Sequence, residues 1–246
     1  MGLSRMVGRS GHPWDLMSMS ILSPSLQSRY EAVEAERRRT WSPDALAGNI
    51  AQREALVRAH PETTHVQTGD VLSPYALVDA EGATVSLDDL TSAGPAVLIF
   101  FRFAGCPACN IALPYYAETL APILKTAGIP LVAVSSQPFP ELDSIRTRNS
   151  LPFPVLNDPQ LTLSHALGIT YLFDEAAQEA AIAKGGRSEA LNGTSRWELP
   201  KPTVLVLSPG RTVSFVDISP DWMRRTETPV ILKALGLENK DVSHAA

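Results

Sequence analysis

Residues 95–109 read PAVLIFFRFAGCPAC. Pro95 to Phe103 is an apolar run too short for a helix, and it lacks the alternation of a half-solvated strand. It predicts a strand buried on both faces, the kind found inside parallel sheets. Cys106-Pro107-Ala108-Cys109 follows directly, and the residues after it, Asn110 to Thr126, read as a helix. A CxxC pair at a strand-to-helix junction is the most informative feature of the chain.

Working outward, Tyr75–Val78 and Thr84–Leu87 flank the turn segment Asp79-Ala80-Glu81-Gly82-Ala83 and predict a hairpin. Leu131–Val134 is a second buried strand. Glu141–Arg148 predicts a short helix, Phe153–Leu156 a strand, Pro159–Leu167 a helix and Glu175–Lys184 an Ala/Glu-rich helix. Thr203–Leu207 and Thr212–Val216, joined by Ser208-Pro209-Gly210-Arg211, predict a second hairpin. A last helix takes Thr228 as cap, Pro229 in its first turn and Gly236 as stop. This order implies an α/β fold: a three-layer sandwich with a central mixed sheet and parallel strands at its centre. Residues 66–240 form that domain. Residues 26–65 read as an N-terminal helical extension, with Leu26, Tyr30 and Val33, then Leu46, Ile50 and Leu56, at helical spacing around the Trp41-Ser42-Pro43 break. Residues 1–25 read as a disordered N-terminus.

The spacing of the cysteines has chemical consequences. A helix N-terminus offers free N–H groups and a partial positive charge, which favour a thiolate over a thiol. Pro107 suits a first helical turn, where its missing N–H costs nothing. Cys109 lies three residues after Cys106, so the two side chains share a helix face within disulfide reach. The alternative is a pair of core cysteines that happen to lie close. A closed zinc site needs four ligands. His12, His60, His65, His165 and His244 show no paired spacing near the motif, so no metal and no cofactor is expected. His60 and His65 read as exposed linker residues, His165 as a helix-surface or core-edge residue.

Composition narrows the class. The chain has 246 residues, net charge −5 and no long basic run, which argues against nucleic acid as a partner. Arg37-Arg38-Arg39 lies among glutamates and reads as a solvated helix face. No stretch approaches a membrane span, and the first 25 residues lack the apolar core of a secretory signal, so a cytoplasmic location is expected. A chain this long can bury a full core without disulfide staples, so a CxxC in that compartment reads as redox chemistry.

Three segments also carry a family likeness. Residues 69–101 (GDVLSPYALVDAEGATVSLDDLTSAGPAVLIFF), 153–169 (FPVLNDPQLTLSHALGI) and 196–235 resemble the peroxiredoxin family, the alkyl hydroperoxide reductases and thiol-specific antioxidant proteins, in a branch with a CPxC motif. The resemblance implies a thioredoxin-like fold and thiol-dependent reduction of peroxides. Cys106 would be the attacking cysteine, Cys109 its resolving partner and a thioredoxin-type dithiol the reductant. It leaves room for a homodimer. Two departures stand out. The family's Pro and Thr or Ser ahead of the attacking cysteine are here Ile99 and Phe103, and its activating arginine is replaced by Lys201. Arg102 is an alternative cation whose face the strand pattern leaves open, and Arg196 serves only if its loop folds back. Lys201-Pro202-Thr203 resembles the segment of thioredoxins in which a cis-proline faces the CxxC; the other reading is a strand start. Gly105, however, stands where thioredoxins carry Trp. Trp197 and Glu198 could edge the pocket or simply pack, and Asp217, Asp221, Arg224 and Arg225 read as a surface ion cluster. Two further functions fit the same residues: thiol–disulfide exchange and a non-enzymatic redox-sensing module.

Overall fold

The computed structural model describes residues 23–60 and 64–238. The disorder expected for residues 1–25 therefore lies outside the described residues as far as position 22, as do His12, His244 and residues 239–240. Ser25 is described, and its hydroxyl accepts the Ser28 N–H as the cap of α1 (Leu26–Thr40). Trp41-Ser42-Pro43 breaks the chain as expected, and Ser42 caps α2 (Pro43–Arg58) with Pro43 in the first turn.

The hairpin of β1 (Ala76–Val78) and β2 (Thr84–Ser86) leads through α3 (Leu87–Leu90) to β3 (Ala96–Phe100). Next come α4 (Cys109–Thr119), α5 (Ala121–Thr126), β4 (Leu131–Ser135), α6 (Glu141–Arg148), β5 (Val155–Asn157) and α7 (Thr162–Ala166). β6 (Thr170–Leu172), α8 (Glu175–Ala183), α9 (Ser188–Asn192) and β7 (Glu198–Pro200) form an excursion before the hairpin of β8 (Thr203–Ser208) and β9 (Thr212–Ile218). The last helix is α10 (Thr228–Ala234).

The main sheet runs β2-β1-β5-β4-β3-β8-β9. β3, β4 and β5 are parallel, and every other pairing is antiparallel, which makes the sheet mixed as expected. All five residues of β3 are buried. Successive side chains divide between two cores, Val97 and Ile99 on the face covered by α1, α4 and α10, Ala96, Leu98 and Phe100 on the other. A continuous apolar run is what such a strand requires.

Several local readings change. The helix expected over residues 110–126 is two, α4 and α5, parted at Leu120; Pro114 lies inside α4 and Pro122 in the first turn of α5. A proline withholds its N–H from the helical ladder, which shortens the regular runs. Thr228 is not the cap of α10, a place taken by Glu227; its hydroxyl meets that of Thr119 at 2.6 Å instead. The ribbon of β6 and β7 is new, since residues 169–199 show neither clean alternation nor a tight-turn signal.

α1 is built into the core. Leu26 and Tyr30 are fully buried against the face of α4, each such burial being worth roughly 1.5–3 kcal/mol. The Glu227 carboxylate accepts the N–H groups of Leu26 (3.0 Å) and Gln27 (2.8 Å) and the Tyr115 hydroxyl (2.7 Å). One side chain thus joins the start of α1, the middle of α4 and the start of α10.

Candidate active site

Between β3 and α4 the chain turns through residues 101–108, and side chains from four elements hold that loop. Ser135 Oγ donates to the Arg102 carbonyl (3.1 Å), and the Ala104 N–H donates to Gln137 Oε1 (2.7 Å). The Ala104 carbonyl accepts from Asn110 Nδ2 (2.8 Å) and Arg148 Nη2 (2.9 Å). Tyr30 Oη, from α1, donates to the Ala108 carbonyl (2.9 Å). The CPAC turn is therefore fixed from outside as well as by its own helix.

α4 begins at Cys109, so Cys106 stands in the turn just before it, and its carbonyl accepts the Asn110 N–H (3.1 Å). Both cysteines are free thiols and both are buried. The Cys106 sulfur accepts hydrogen bonds from the Cys109 side chain and the Cys109 backbone N–H. With the charges of Arg102 and Arg225 these outweigh the cost of burial, and the Cys106 pKa falls to about 5. Burial and the neighbouring sulfur push the Cys109 thiol well up. One thiol is prepared as a thiolate and the other as its proton-bearing partner.

Arg102 is the cation at the thiolate. Its Nη1 lies 3.9 Å from Cys106 Sγ, its Nε donates to Tyr171 Oη at 2.7 Å, and its guanidinium stacks 4.2 Å from the Trp222 ring centroid. Burial opposes its charge, but Tyr171 and the cysteines raise its pKa overall, so it stays cationic. Arg225 adds a second cation, with Nη2 4.0 Å from Cys109 Sγ. Sequence reasoning missed Arg225, Tyr171, Tyr30 and Trp222 as parts of this site, because each arrives from an element distant in the chain.

The structure separates the remaining candidates. Lys201 is not beside the thiolate: its Nζ meets His60 Nδ1 at 3.2 Å. His60 is half-buried, stacked on His65, and held to about 4 by burial, by Lys201 and by His65, so it is no free linker residue. The Lys201–Pro202 peptide is trans; the cis bond among the described residues is Phe139–Pro140. Lys201 N–H donates to the Ile169 carbonyl (2.7 Å) and the Pro202 carbonyl accepts the Ser219 N–H (2.8 Å). These bonds on either side make Pro202 a strand start. Thr203 does reach the site, lining a cavity of about 10 Å³ with Cys109, Ser219 and Arg225. Arg196 pairs with buried Glu198 (3.5 Å), and Trp197 packs on Phe173, which stacks in turn on Tyr171. Asp221 and Arg225 are no surface cluster: Asp221 binds Arg53 of α2 at 2.7 and 2.8 Å, and Arg225 faces the dithiol. Among the described residues no cluster of His, Cys, Asp and Glu is arranged for a metal, and no helix is long and apolar enough to cross a membrane.

Comparison with known proteins agrees with this architecture. The AhpC/TSA family model matches residues 68–216. The chain is 30% identical over 132 residues to the thiol-disulfide oxidoreductase ResA of Geobacillus thermodenitrificans, covering 50% of this chain and 73% of that protein. It is 31% identical over 121 residues to a putative peroxiredoxin of Mycobacterium tuberculosis, covering 48% and 75%. The crystal structure of the peroxidoxin BcpB from Mycobacterium tuberculosis superposes with a TM-score of 0.53 at 24% identity, over 70% of this chain and 96% of that one, a likeness of fold.

Proposed function

This chain belongs to the AhpC/TSA family of thiol-dependent oxidoreductases, and from that premise we propose that it is a thiol peroxidase with Cys106 as its nucleophile. The Cys106 thiolate attacks the terminal oxygen of a hydroperoxide. The O–O bond breaks, the departing alkoxide takes up a proton, and Cys106 becomes a sulfenic acid. The Cys109 thiol then condenses with it, forming the disulfide and releasing water. A thioredoxin-type dithiol returns both cysteines to thiols by exchange.

The observation that carries this reading is the asymmetry of the pair. Cys106 accepts the hydrogen bonds of Cys109 and sits 3.9 Å from Arg102, whereas Cys109 keeps its proton. Of the two candidate cations, Lys201 and Arg102, it is Arg102 that takes the activating role. It does so from the loop after β3, stacked against Trp222, and its charge would also draw the developing alkoxide. Thr203 lines the small cavity beside Cys109, and Pro202 precedes it at the start of β8.

A second reading, exchange with a disulfide substrate, draws on the likeness to ResA and on Phe103, which supplies no hydroxyl ahead of Cys106. Stopped-flow oxidation of the reduced protein by hydrogen peroxide and cumene hydroperoxide separates the two. Disulfide formation should depend on Cys106, and Cys109→Ser should leave a trappable sulfenic acid. The thiolate is the reactive form, so the rate should rise as pH climbs through about 5 and then level off. Arg102→Gln should move that midpoint up by about one unit or more. Oxidation no faster than that of a free thiol would leave disulfide exchange.

A further inference from the structure

A groove of about 820 Å³ lies between the N-terminal helices and residues 217–225. That size suits a small organic ligand. One wall is apolar. α2 has no buried residue, and its Leu46, Ile50 and Val57 line the groove, with Ile50 38% and Val57 51% exposed.

The rest is cationic. Arg37, Arg38, Arg53, Arg58, Arg224 and Arg225 face four carboxylates there, in a chain whose net charge is −5. The carboxylates are largely committed: Glu34 and Asp221 bind Arg53, Glu54 pairs with Arg58, and Asp217 accepts from Thr226. Among the described residues Arg37, Arg38, Arg224 and Arg225 have no carboxylate within ion-pair distance. Arg37 is nonetheless 8% exposed, lying over the Trp41 ring beside Met223. Part-buried cations without counter-charge are costly, and they attract an anion that supplies it.

The groove also adjoins the chemistry. Ser219 and Arg225 line both it and the small cavity that touches Cys109. We propose that this groove binds an amphiphilic carboxylate, its acid group on the uncommitted arginines and its stem on α2, and that Arg225 reports the occupancy to the dithiol. The ionisable groups that face or act on the cysteines are Arg102, Tyr171, Tyr30, Tyr116, Arg37 and Arg225. Of these, Arg37 and Arg225 also line the groove, and Arg225 is the one that reaches the dithiol, 4.0 Å from Cys109 Sγ. A carboxylate on Arg225 cancels part of the positive field that favours the Cys106 thiolate, so occupancy disfavours the thiolate. The coupling rests on Cys106 being the reactive thiolate; the binding does not.

Titration calorimetry of the reduced full chain with decanoate, decan-1-ol and acetate tests the site. Decanoate should bind at one site, and the alcohol and acetate should not. Arg38→Glu and Ile50→Glu should each weaken decanoate roughly tenfold through like-charge repulsion. The pH midpoint of Cys106 alkylation by iodoacetamide should rise in saturating decanoate, and Arg225→Gln should remove most of that shift. Arg38→Glu and Ile50→Glu should leave the unliganded midpoint where it is. Decan-1-ol binding as well as decanoate would overturn the proposal in favour of apolar adhesion. Absence of decanoate binding together with a doubled mass in light scattering would overturn it in favour of a second copy of the chain. Binding without a shift would overturn the coupling. A high midpoint in the unliganded protein would instead count against the Cys106 reading, while the calorimetry still decides the site.

Discussion

α1 and α2 follow one another, have 15 and 16 residues, and are each capped by a serine, yet they belong to the molecule in different ways. α1 puts Leu26 and Tyr30 into the core, receives the Glu227 carboxylate at its start and reaches the Ala108 carbonyl inside the CPAC turn. α2 buries no residue; partly buried Leu56 touches the core, and Arg53 ties the helix to Asp221 and Glu34. Helix length differs by one residue and a serine caps both, so these cannot be what decides membership of the core. What decides it is whether apolar side chains meet a surface that needs covering. α1 meets the exposed side of α4; α2 meets a groove.

If that contrast is right, Tyr30→Ala should be the most damaging change in either helix. It removes a fully buried ring and the bond to Ala108, and should cost about 3–5 kcal/mol in chemical denaturation. Arg53→Gln should cost about 1–3 kcal/mol, and hydrogen exchange should locate the loss in α2 with the sheet still protected; loss spread over the whole chain would erase the distinction. Tyr30→Phe keeps the ring and should cost about 1 kcal/mol, with faster amide exchange around Cys109 as its signature. Smallest of all, Ile50→Ser should leave the denaturation midpoint within about 0.5 kcal/mol of the parent, because the side chain is already exposed.

The same contrast explains what was legible in the sequence. β3 declared itself because burial on both faces leaves a continuous apolar run, and the CPAC motif because its chemistry is set by spacing alone. The two hairpins were marked by turn residues. Helical periodicity named Leu26 and Tyr30 together with Leu46 and Ile50, but it could not say which set finds a partner, since that depends on a surface built by α4. Arg102 was undecided for a related reason: it lies in the loop beyond β3, where alternation has ended. Arg225 reaches Cys109 across 116 positions of chain, and no periodicity links them. Lys201 and Pro202 were read through a likeness, and the hydrogen bonds to Ile169 and Ser219 gave both a different local role.

The Glu227 clasp bears on what can be transplanted. The family match runs from residue 68 to 216, and the clasp joins residues 26 and 27 to 227, outside it on both sides. A fragment trimmed to the match would lose α1 and α10 together, baring the flank of α4 that carries Tyr115, Tyr116 and Cys109. The smallest portable unit of this protein is therefore wider than its shared ancestry: whoever grafts the dithiol elsewhere must carry both ends of the chain that hold its helix in place.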